Sequence, residues 1–299
     1  MTIAVLDFSQ TVIAAVSVIS KDLKGGDAPD LIRHCALNQI LKLKKKFGNL
    51  VIAVDSRQGY WRKDNFPAYK GHRKHAKAKD DFLDWDLIGR VMDEFKQELI
   101  DNFQYKVIEV SKAEADDILA VLSKYHLTNE LETMGLFEEP QEIILVSTDG
   151  DSNQLLKYPH VKQWHIIKDS FVSVADPKMS LVEKVCKGDA GDNVPGILTS
   201  DQWAEDRANN IKPTRQKPFK STRLEDFYVK GIDACLDDTE KKHYLRNQML
   251  VDLDNIPSEI EQNIIDTYKN YTVKGSKMKI LTYLGKHRMK QLMDSANQF

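Results

Sequence analysis

The chain has 299 residues, of which 41% are hydrophobic and 29% are charged, and its net charge is −2. This length predicts two domains, or one domain with large insertions, and the composition predicts a globular protein. No apolar run reaches membrane-spanning length, no signal peptide is visible, and three widely spaced cysteines favour a reducing, cytoplasmic setting over a zinc site.

Short apolar runs and helical periods alternate over residues 1–178, which predicts an α/β domain with a mostly parallel central sheet and flanking helices. Helical patterns dominate residues 179–299, so a helical C-terminal domain is expected there. The predicted strands are residues 3–6, 50–54, 105–110 and 143–146, with later candidates at 164–167 and 171–174.

Acidic residues follow four of the predicted strands. The carboxyl ends of parallel strands share one edge of a sheet, so these carboxylates are expected to converge there. Several negative charges close together require a cation, and oxygen ligands favour Mg²⁺ or Mn²⁺. The residues are Asp7, Asp55, Glu114, Asp116, Asp117, Asp149 and Asp151, and a glycine-rich turn further along adds Asp189 and Asp192.

Each acidic position also has an ordinary structural interpretation. Asp7 and Asp55 could be turn residues or helix caps. Ser111 and Glu114 have the spacing of a capping box, in which Ser111 would be the N-cap of the next helix. Turns and caps do not require acids at every strand end of one edge, so the joint pattern favours a metal site.

Basic residues are gathered in three blocks, despite the near-neutral total. Residues 57–79 contain eight Lys or Arg and one acid, residues 207–223 contain six and none, and residues 269–290 contain seven and none. A single block can be a solvated helical face. Three blocks beside an acidic centre indicate a polyanionic partner such as nucleic acid.

A haloacid-dehalogenase-like phosphatase is an alternative enzyme class. Such enzymes begin with a strand ending in Asp-x-Asp-x-Thr, and this chain has Asp7, Ser9 and Thr11 in those places, followed by Gly188-Asp189 and Asp192. Ser9 replaces the aspartate that would serve as general acid. This interpretation also leaves the basic blocks unused, so it is the weaker of the two.

Four ordered motifs carry a family resemblance: Pro-x-Tyr-Lys-x-x-Arg at 67–73, Glu-Ala-Asp-Asp at 114–117, Thr-Asp-Gly-Asp at 148–151 and Gly-Asp-x-x-Asp-Asn at 188–193. Together they resemble the structure-specific 5′ nucleases, the flap-endonuclease family. The C-terminal portion is most similar to the T-even phage ribonuclease H subgroup. The resemblance implies a PIN-like 5′-nuclease fold and a helical C-terminal domain that binds duplex in a helix-turn-helix-like manner.

The resemblance also implies a two-metal site, occupied by Mg²⁺ or alternatively Mn²⁺. By the family pattern, all nine acidic residues contribute. Asp116, Asp149 and Asp151 would bind metal directly, Asp189 and Asp192 would serve the second metal, and Asp7 and Asp55 would act through water.

Basic residues match the family in the same way. Lys70 and Arg73 would neutralise charge on the scissile phosphate, and Tyr69 could either stack on a base or pack in the interior. Residues 58–81 would form an arch over the site. The family's Gly-x-Gly turn is missing after residue 193, so side chains would bind duplex phosphates there. The expected nucleic-acid contacts are Arg62, Lys63, Tyr69, Lys74, Lys212, Arg215 and Lys217.

The function implied by the resemblance is 5′ to 3′ exonuclease and flap endonuclease activity on duplex DNA, RNA–DNA hybrids and 5′ flaps with a free 5′ end. The expected role is removal of RNA primers during lagging-strand replication. The resemblance further implies a cytoplasmic monomer with a single-strand-binding protein and a sliding clamp as partners. A non-catalytic DNA-binding member of the family is the other alternative. It would have lost key carboxylates, and none of the expected positions is lost here.

Overall fold

A six-stranded sheet forms the centre of the computed structural model, which describes residues 2–19, 28–131 and 140–299. The strands are β1 (Ile3–Asp7), β2 (Asn49–Val54), β3 (Lys106–Glu109), β4 (Ile143–Val146), β5 (Val161–His165) and β6 (Ser170–Phe171). Their order across the sheet is β3-β2-β1-β4-β5-β6, and all pairs are parallel except β5 with β6. The predicted α/β class is confirmed, although β5 begins before the predicted residue 164 and β6 is only two residues long.

Alternation along the central strands explains why the sheet is covered on both faces. In β1, Ala4 and Leu6 belong to one hydrophobic cluster, whereas Ile3 and Val5 belong to another. Successive side chains of a strand point to opposite faces, so a continuous apolar run supplies both cores.

Helices pack on each face of the sheet. α1 (Phe8–Ile19), α2 (Ala28–Phe47) and α5 (Trp85–Asn102) contribute to the first cluster, and α6 (Ala115–Leu131) contributes to the second. α6 begins at Ala115 and not near Ser111, as the capping-box spacing predicted. Lys112 has a left-handed backbone with φ of 65°, and the carboxylate of Asp117 accepts the backbone N–H of Glu114 at 2.9 Å. The capping interaction therefore lies three residues further along the chain.

The C-terminal helices do not form a separate layer. α11 (Ser258–Asn270) packs against α6, and α12 (Lys277–Lys286) packs against α5, so the chain covers both faces of the sheet. A third cluster joins α7 (Pro177–Lys187), α8 (Gln202–Ala208), α9 (Leu224–Lys230) and α10 (Asp238–Val251). Two short strands missed by the sequence analysis, β7 (Gly188–Asp189) and β8 (Val194–Pro195), form a hairpin after α7, and α13 (Lys290–Met293) lies near the end. Among the described helices, none has the length and apolar character needed to cross a bilayer.

The basic segment between β2 and α5 carries two short helices, α3 (Trp61–Asn65) and α4 (Arg73–Ala78). We call residues 58–81 the arch segment. It packs against the end of α8, where a ring nitrogen of His75 lies 3.0 Å from the carbonyl oxygen of Ala208. A Cβ atom at Gly71 would lie 2.7 Å from the Cβ of Ala208, so this close approach requires glycine.

Candidate active site

The strand order changes direction at the centre of the sheet. From β1 the chain adds β2 and β3 toward one edge, whereas β4 lies on the other side of β1 and β5 follows it. Such a switch point opens a crevice at the carboxyl ends of the two central strands. Asp7 ends β1, and Asp149 follows β4 by three residues, so both acids lie at this crevice.

Three carboxylates come together at the crevice. One oxygen from each of Asp116, Asp149 and Asp151 lies within 4.8 Å of the others. Asp116 is in the first turn of α6, and Asp149 caps a 3₁₀ helix at Gly150–Lys157 by accepting the N–H of Asp151 at 3.0 Å. A buried oxygen of Asp116 has no hydrogen-bond partner among the residues that the structure describes. These oxygens therefore fit the ligand set of a hard divalent cation.

Burial and mutual repulsion both disfavour the ionised form of the carboxyl groups at the crevice. Burial, followed by the charges of Asp149 and Asp7, raises the pKa of Asp116 well above its usual range. Burial and the charge of Asp55 raise the pKa of Asp7 to about 7. Both effects favour the protonated forms, and a bound cation reverses them.

Asp55 links the ends of β1 and β2 to the start of α6. One of its oxygens accepts the hydroxyl of Ser9 at 2.9 Å, and the other accepts the backbone N–H of Ala115 at 3.0 Å. Because Ala115 precedes Asp116, these bonds hold the first turn of α6 beside the crevice.

Asp117 lies outside the cluster, although it is adjacent to Asp116 in sequence. It is 0% exposed, forms an ion pair with Arg62 at 2.8 Å and accepts the indole N–H of Trp61 at 3.1 Å. Consecutive helical residues point in directions about 100° apart, so only one of the two faces the crevice. The structure gives Asp117 a structural role in this network and places it apart from the cluster that was predicted to include it as a metal ligand.

Arg62 is likewise not available to nucleic acid. The residue is 2% exposed, and its guanidinium pairs with Glu114 and Asp117, each at 2.8 Å, and donates to the carbonyl oxygen of Leu250 at 2.8 Å. A buried guanidinium requires such partners to offset its desolvation. The structure therefore places Arg62 in a buried ion-pair network with Glu114, and not on a surface where it could make the predicted contact with nucleic acid.

Tyr69 is also buried, which favours the packing interpretation of this residue over base stacking. It is 3% exposed, and its hydroxyl donates to Asp192 at 2.7 Å. The ammonium nitrogen of Lys70 pairs with Glu114 and lies 3.5 Å from a carboxylate oxygen of Asp192. Arg73, whose side chain is 48% exposed, pairs with Asp192 at 2.6 Å. Lys70 and Arg73 thus lie together at the edge of the acidic centre.

Asp189 is the last residue of β7, directly before the turn to β8. One oxygen accepts the N–H of Gly191 at 2.7 Å, and the other pairs with Lys184 at 2.8 Å. Lys184 also contacts Asp151. Lys184 could not be predicted from the sequence, because a lysine in the middle of an amphipathic helix has the pattern of an ordinary surface residue.

A basic groove of about 750 Å³ lies between the arch segment and α5. Its lining includes Asp55 and Lys70, which contact Ala115 and Glu114 at the start of α6, and Ala208 of α8. Its charged lining comprises seven cations and two acids, namely Arg57, Lys63, Lys70, Arg73, Lys74, Lys77 and Lys96 with Asp55 and Asp93. The predicted contacts Lys63 and Lys74 therefore face the groove. Arg57, Lys77 and Lys96 were not predicted.

The remaining predicted contacts lie elsewhere. Lys212, Arg215 and Lys217 are exposed on the irregular segment after α8 and do not line the groove. This segment is fixed to the turn after β8, since Thr199 accepts the N–H of Lys217 at 3.1 Å. The three cations thus lie on the C-terminal portion, outside the lining of the groove, and we refer to them together as the second surface.

Comparisons with known proteins match both halves of the chain. Residues 30–185 match the 5′-3′ exonuclease N-terminal resolvase-like domain, and residues 175–299 match the C-terminal domain of T4 RNase H. The protein named ribonuclease H of enterobacteria phage T4 is 31% identical over 315 aligned positions, which cover 99% of this chain and 95% of that protein.

Two solved phage T5 structures share the fold. The T5 5′-exonuclease with bound zinc ions has a TM-score of 0.59 and 18% identity, covering 90% of this chain and 98% of that chain. The T5 D15 flap endonuclease, in a pseudo-enzyme-product complex with DNA and metal ions, has a TM-score of 0.57 and 17% identity, covering 90% and 100%.

The haloacid-dehalogenase alternative is overturned by these matches, which extend over both halves of the chain. In the structure, Ser9 serves as a hydrogen-bond donor to Asp55 at the strand ends. The chain belongs to the family of 5′-3′ exonucleases, with a C-terminal portion of the T4 RNase H type.

Proposed function

We propose that this protein is a metal-dependent 5′ to 3′ exonuclease and flap endonuclease that acts on duplex DNA, RNA–DNA hybrids and 5′ flaps. The observation that supports this function best is the position of the cluster formed by Asp116, Asp149 and Asp151. It lies at the switch point of the sheet, beside a groove lined by seven cations. A phosphodiester and a divalent cation would meet there.

The metal is proposed to be Mg²⁺, with Mn²⁺ able to replace it. Asp116, Asp149 and Asp151 would hold one ion, and Asp189 and Asp192 would contribute to the second. The all-oxygen donor set and the unpartnered oxygen of Asp116 support hard cations. Divalent ions at such a site activate water as a nucleophile and stabilise charge on phosphate oxygens.

Lys70 and Arg73 are proposed to act on the scissile phosphate. Both are placed by Asp192, and Lys70 is fixed further by a left-handed backbone with φ of 53° whose N–H donates to the carbonyl of Asp192 at 2.8 Å. Burial alone would lower the pKa of Lys70, but the charges of Glu114 and Asp192 raise it above its usual value, so the ammonium stays charged. Two fixed cations favour the charge that builds on the phosphate in the transition state.

The basic groove is proposed to guide the unpaired 5′ strand. Its cations would bind phosphates in any sequence, so recognition would depend on shape and on a free 5′ end. The second surface, formed by Lys212, Arg215 and Lys217, would bind the duplex portion. The proposed division assigns the nuclease to residues 1–178 and duplex binding to residues 179–299, although α11 and α12 of the second part pack against α6 and α5 of the first.

The proposed biological role is removal of RNA primers during lagging-strand replication. The phage relative named ribonuclease H supports this role and an action in the host cytoplasm. A single-strand-binding protein and a sliding clamp are proposed partners of a monomeric enzyme.

Cleavage of 5′-end-labelled substrates tests the proposed function. An RNA–DNA hybrid and a flapped duplex would be incubated with Mg²⁺ and with EDTA, beside Asp149→Asn and the control Asp64→Asn. Asp64 is an exposed acid that pairs with Lys112 and does not belong to the cluster, so its variant should cleave normally. Short 5′ products that require metal and disappear only in Asp149→Asn are expected. Tight binding by the wild type without cleavage would identify a non-catalytic family member.

A further inference from the structure

Lys184 lies between the two acidic groups of the candidate metal centre. Its Nζ is 2.8 Å from an oxygen of Asp189 and also contacts an oxygen of Asp151. Asp151 belongs to the cluster at the end of β4, whereas Asp189 belongs to the turn after α7. One ammonium group therefore bridges the proposed first and second metal positions.

The backbone after α7 fixes this arrangement. The helix ends at Gly188, whose φ is 76°, and a Cβ there would lie 2.4 Å from the carbonyl oxygen of Val194. Only glycine fits this left-handed turn. This turn changes the direction of the chain directly after α7, and it places Asp189 beside the side chain of Lys184.

The bridging ammonium and a divalent cation would use the same oxygen atoms. A carboxylate oxygen that holds an ammonium at hydrogen-bond distance has no room for a metal ion on the same side, and two cations so close repel each other. The Lys184 side chain is 26% exposed, so its flexible stem can move toward solvent when a metal ion enters.

We propose that Lys184 is an internal counter-cation that bridges Asp151 and Asp189 while no divalent ion is bound and withdraws from them when one binds. This inference rests on the proposed two-metal function. The affinity of the second position is then set by competition, so the free protein binds its second ion more weakly than the carboxylates alone would.

A Mn²⁺ titration of the metal-free, full-length protein tests the competition. Calorimetry and the electron-paramagnetic-resonance signal of free Mn²⁺ would give the number of ions bound and each Kd. Lys184→Gln is expected to lower the Kd of the weaker site at least tenfold. Lys184→Arg keeps the charge and should bind as the wild type does. The control Lys187→Gln changes a lysine of the same helix that pairs with Glu183 at the surface, and it should also match the wild type.

A measurement on the wild type avoids any effect of substitution on folding. Acetylation of lysine amines, read by mass spectrometry, should rise several-fold at Lys184 when Mn²⁺ is added and remain constant at Lys187. Mn²⁺ binding with neither a tighter site in Lys184→Gln nor a rise in Lys184 acetylation would overturn the inference and leave the metal centre intact. An absence of Mn²⁺ binding in all variants would overturn the metal centre as well.

Discussion

Replacement of Arg62 by methionine is expected to destabilise the protein while leaving its phosphate contacts intact. The change removes the cation that neutralises Glu114 and Asp117, which the structure buries together with it. Loss of one partner from a buried ion pair costs about 3–5 kcal/mol. The carbonyl of Leu250 loses its donor too, which adds about 1 kcal/mol. The expected loss is therefore about 4–6 kcal/mol.

Denaturant unfolding in EDTA would measure the free energy of unfolding. Arg57→Met is the matched control, because Arg57 forms an exposed pair with Asp93 and such pairs contribute about 0–1 kcal/mol. DNA affinity measured against salt concentration gives an independent readout. A phosphate contact adds about one to the slope of log K against log salt, and Arg62→Met should leave this slope unchanged.

The opposite pair of results would refute the structural role. If Arg62→Met unfolds at the wild-type denaturant concentration but its salt slope falls by about one, then Arg62 binds phosphate and the buried network does not exist in solution. If Arg62→Met lowers both the free energy of unfolding and the slope of log K against log salt, then Arg62 must exchange between a buried and a phosphate-binding conformation.

Three further predictions concern the site. Burial and the charge of Asp55 raise the pKa of Asp7 from 3.8 to about 7 in the folded protein. The free energy of unfolding without metal should therefore fall by at most about 4 kcal/mol as the pH rises from 4 to 7. Thermal unfolding in EDTA should show this fall in the wild type and a flatter pH profile in Asp7→Asn. Lys74→Ala removes an exposed cation of the groove, so DNA binding should weaken and the slope of log K against log salt should be smaller by about one. An unchanged slope in a filter-binding assay would exclude a phosphate contact by Lys74. Tyr69→Phe keeps the aromatic ring and removes the hydroxyl that donates to Asp192, so kcat for flap cleavage should fall while KM for DNA stays constant. An unchanged kcat would show that this hydroxyl does not position Asp192.

The local pattern of apolar and acidic residues was sufficient to predict the sheet and the edge at which its acidic residues meet. Apolar runs that end in aspartate define buried parallel strands, and parallel strands place their carboxyl ends together whatever their order. Asp7 and Asp149 therefore lie at one crevice, as expected from sequence. The start of α6 was misplaced by a few residues because a left-handed residue, Lys112, interrupts the predicted cap.

Tertiary packing alone decided which charged side chains face the crevice and which are buried. Asp116 and Asp117 are adjacent and chemically identical, yet one joins the cluster and the other pairs with Arg62. Lys63 faces the groove, whereas its neighbour Arg62 reaches α10 across 188 residues of sequence. The amino-acid sequence by itself fixed the chemistry available at the sheet edge, because residue type and strand pattern are local properties. The orientation of each charge depends on contacts between distant segments, and only the folded structure brings those segments together.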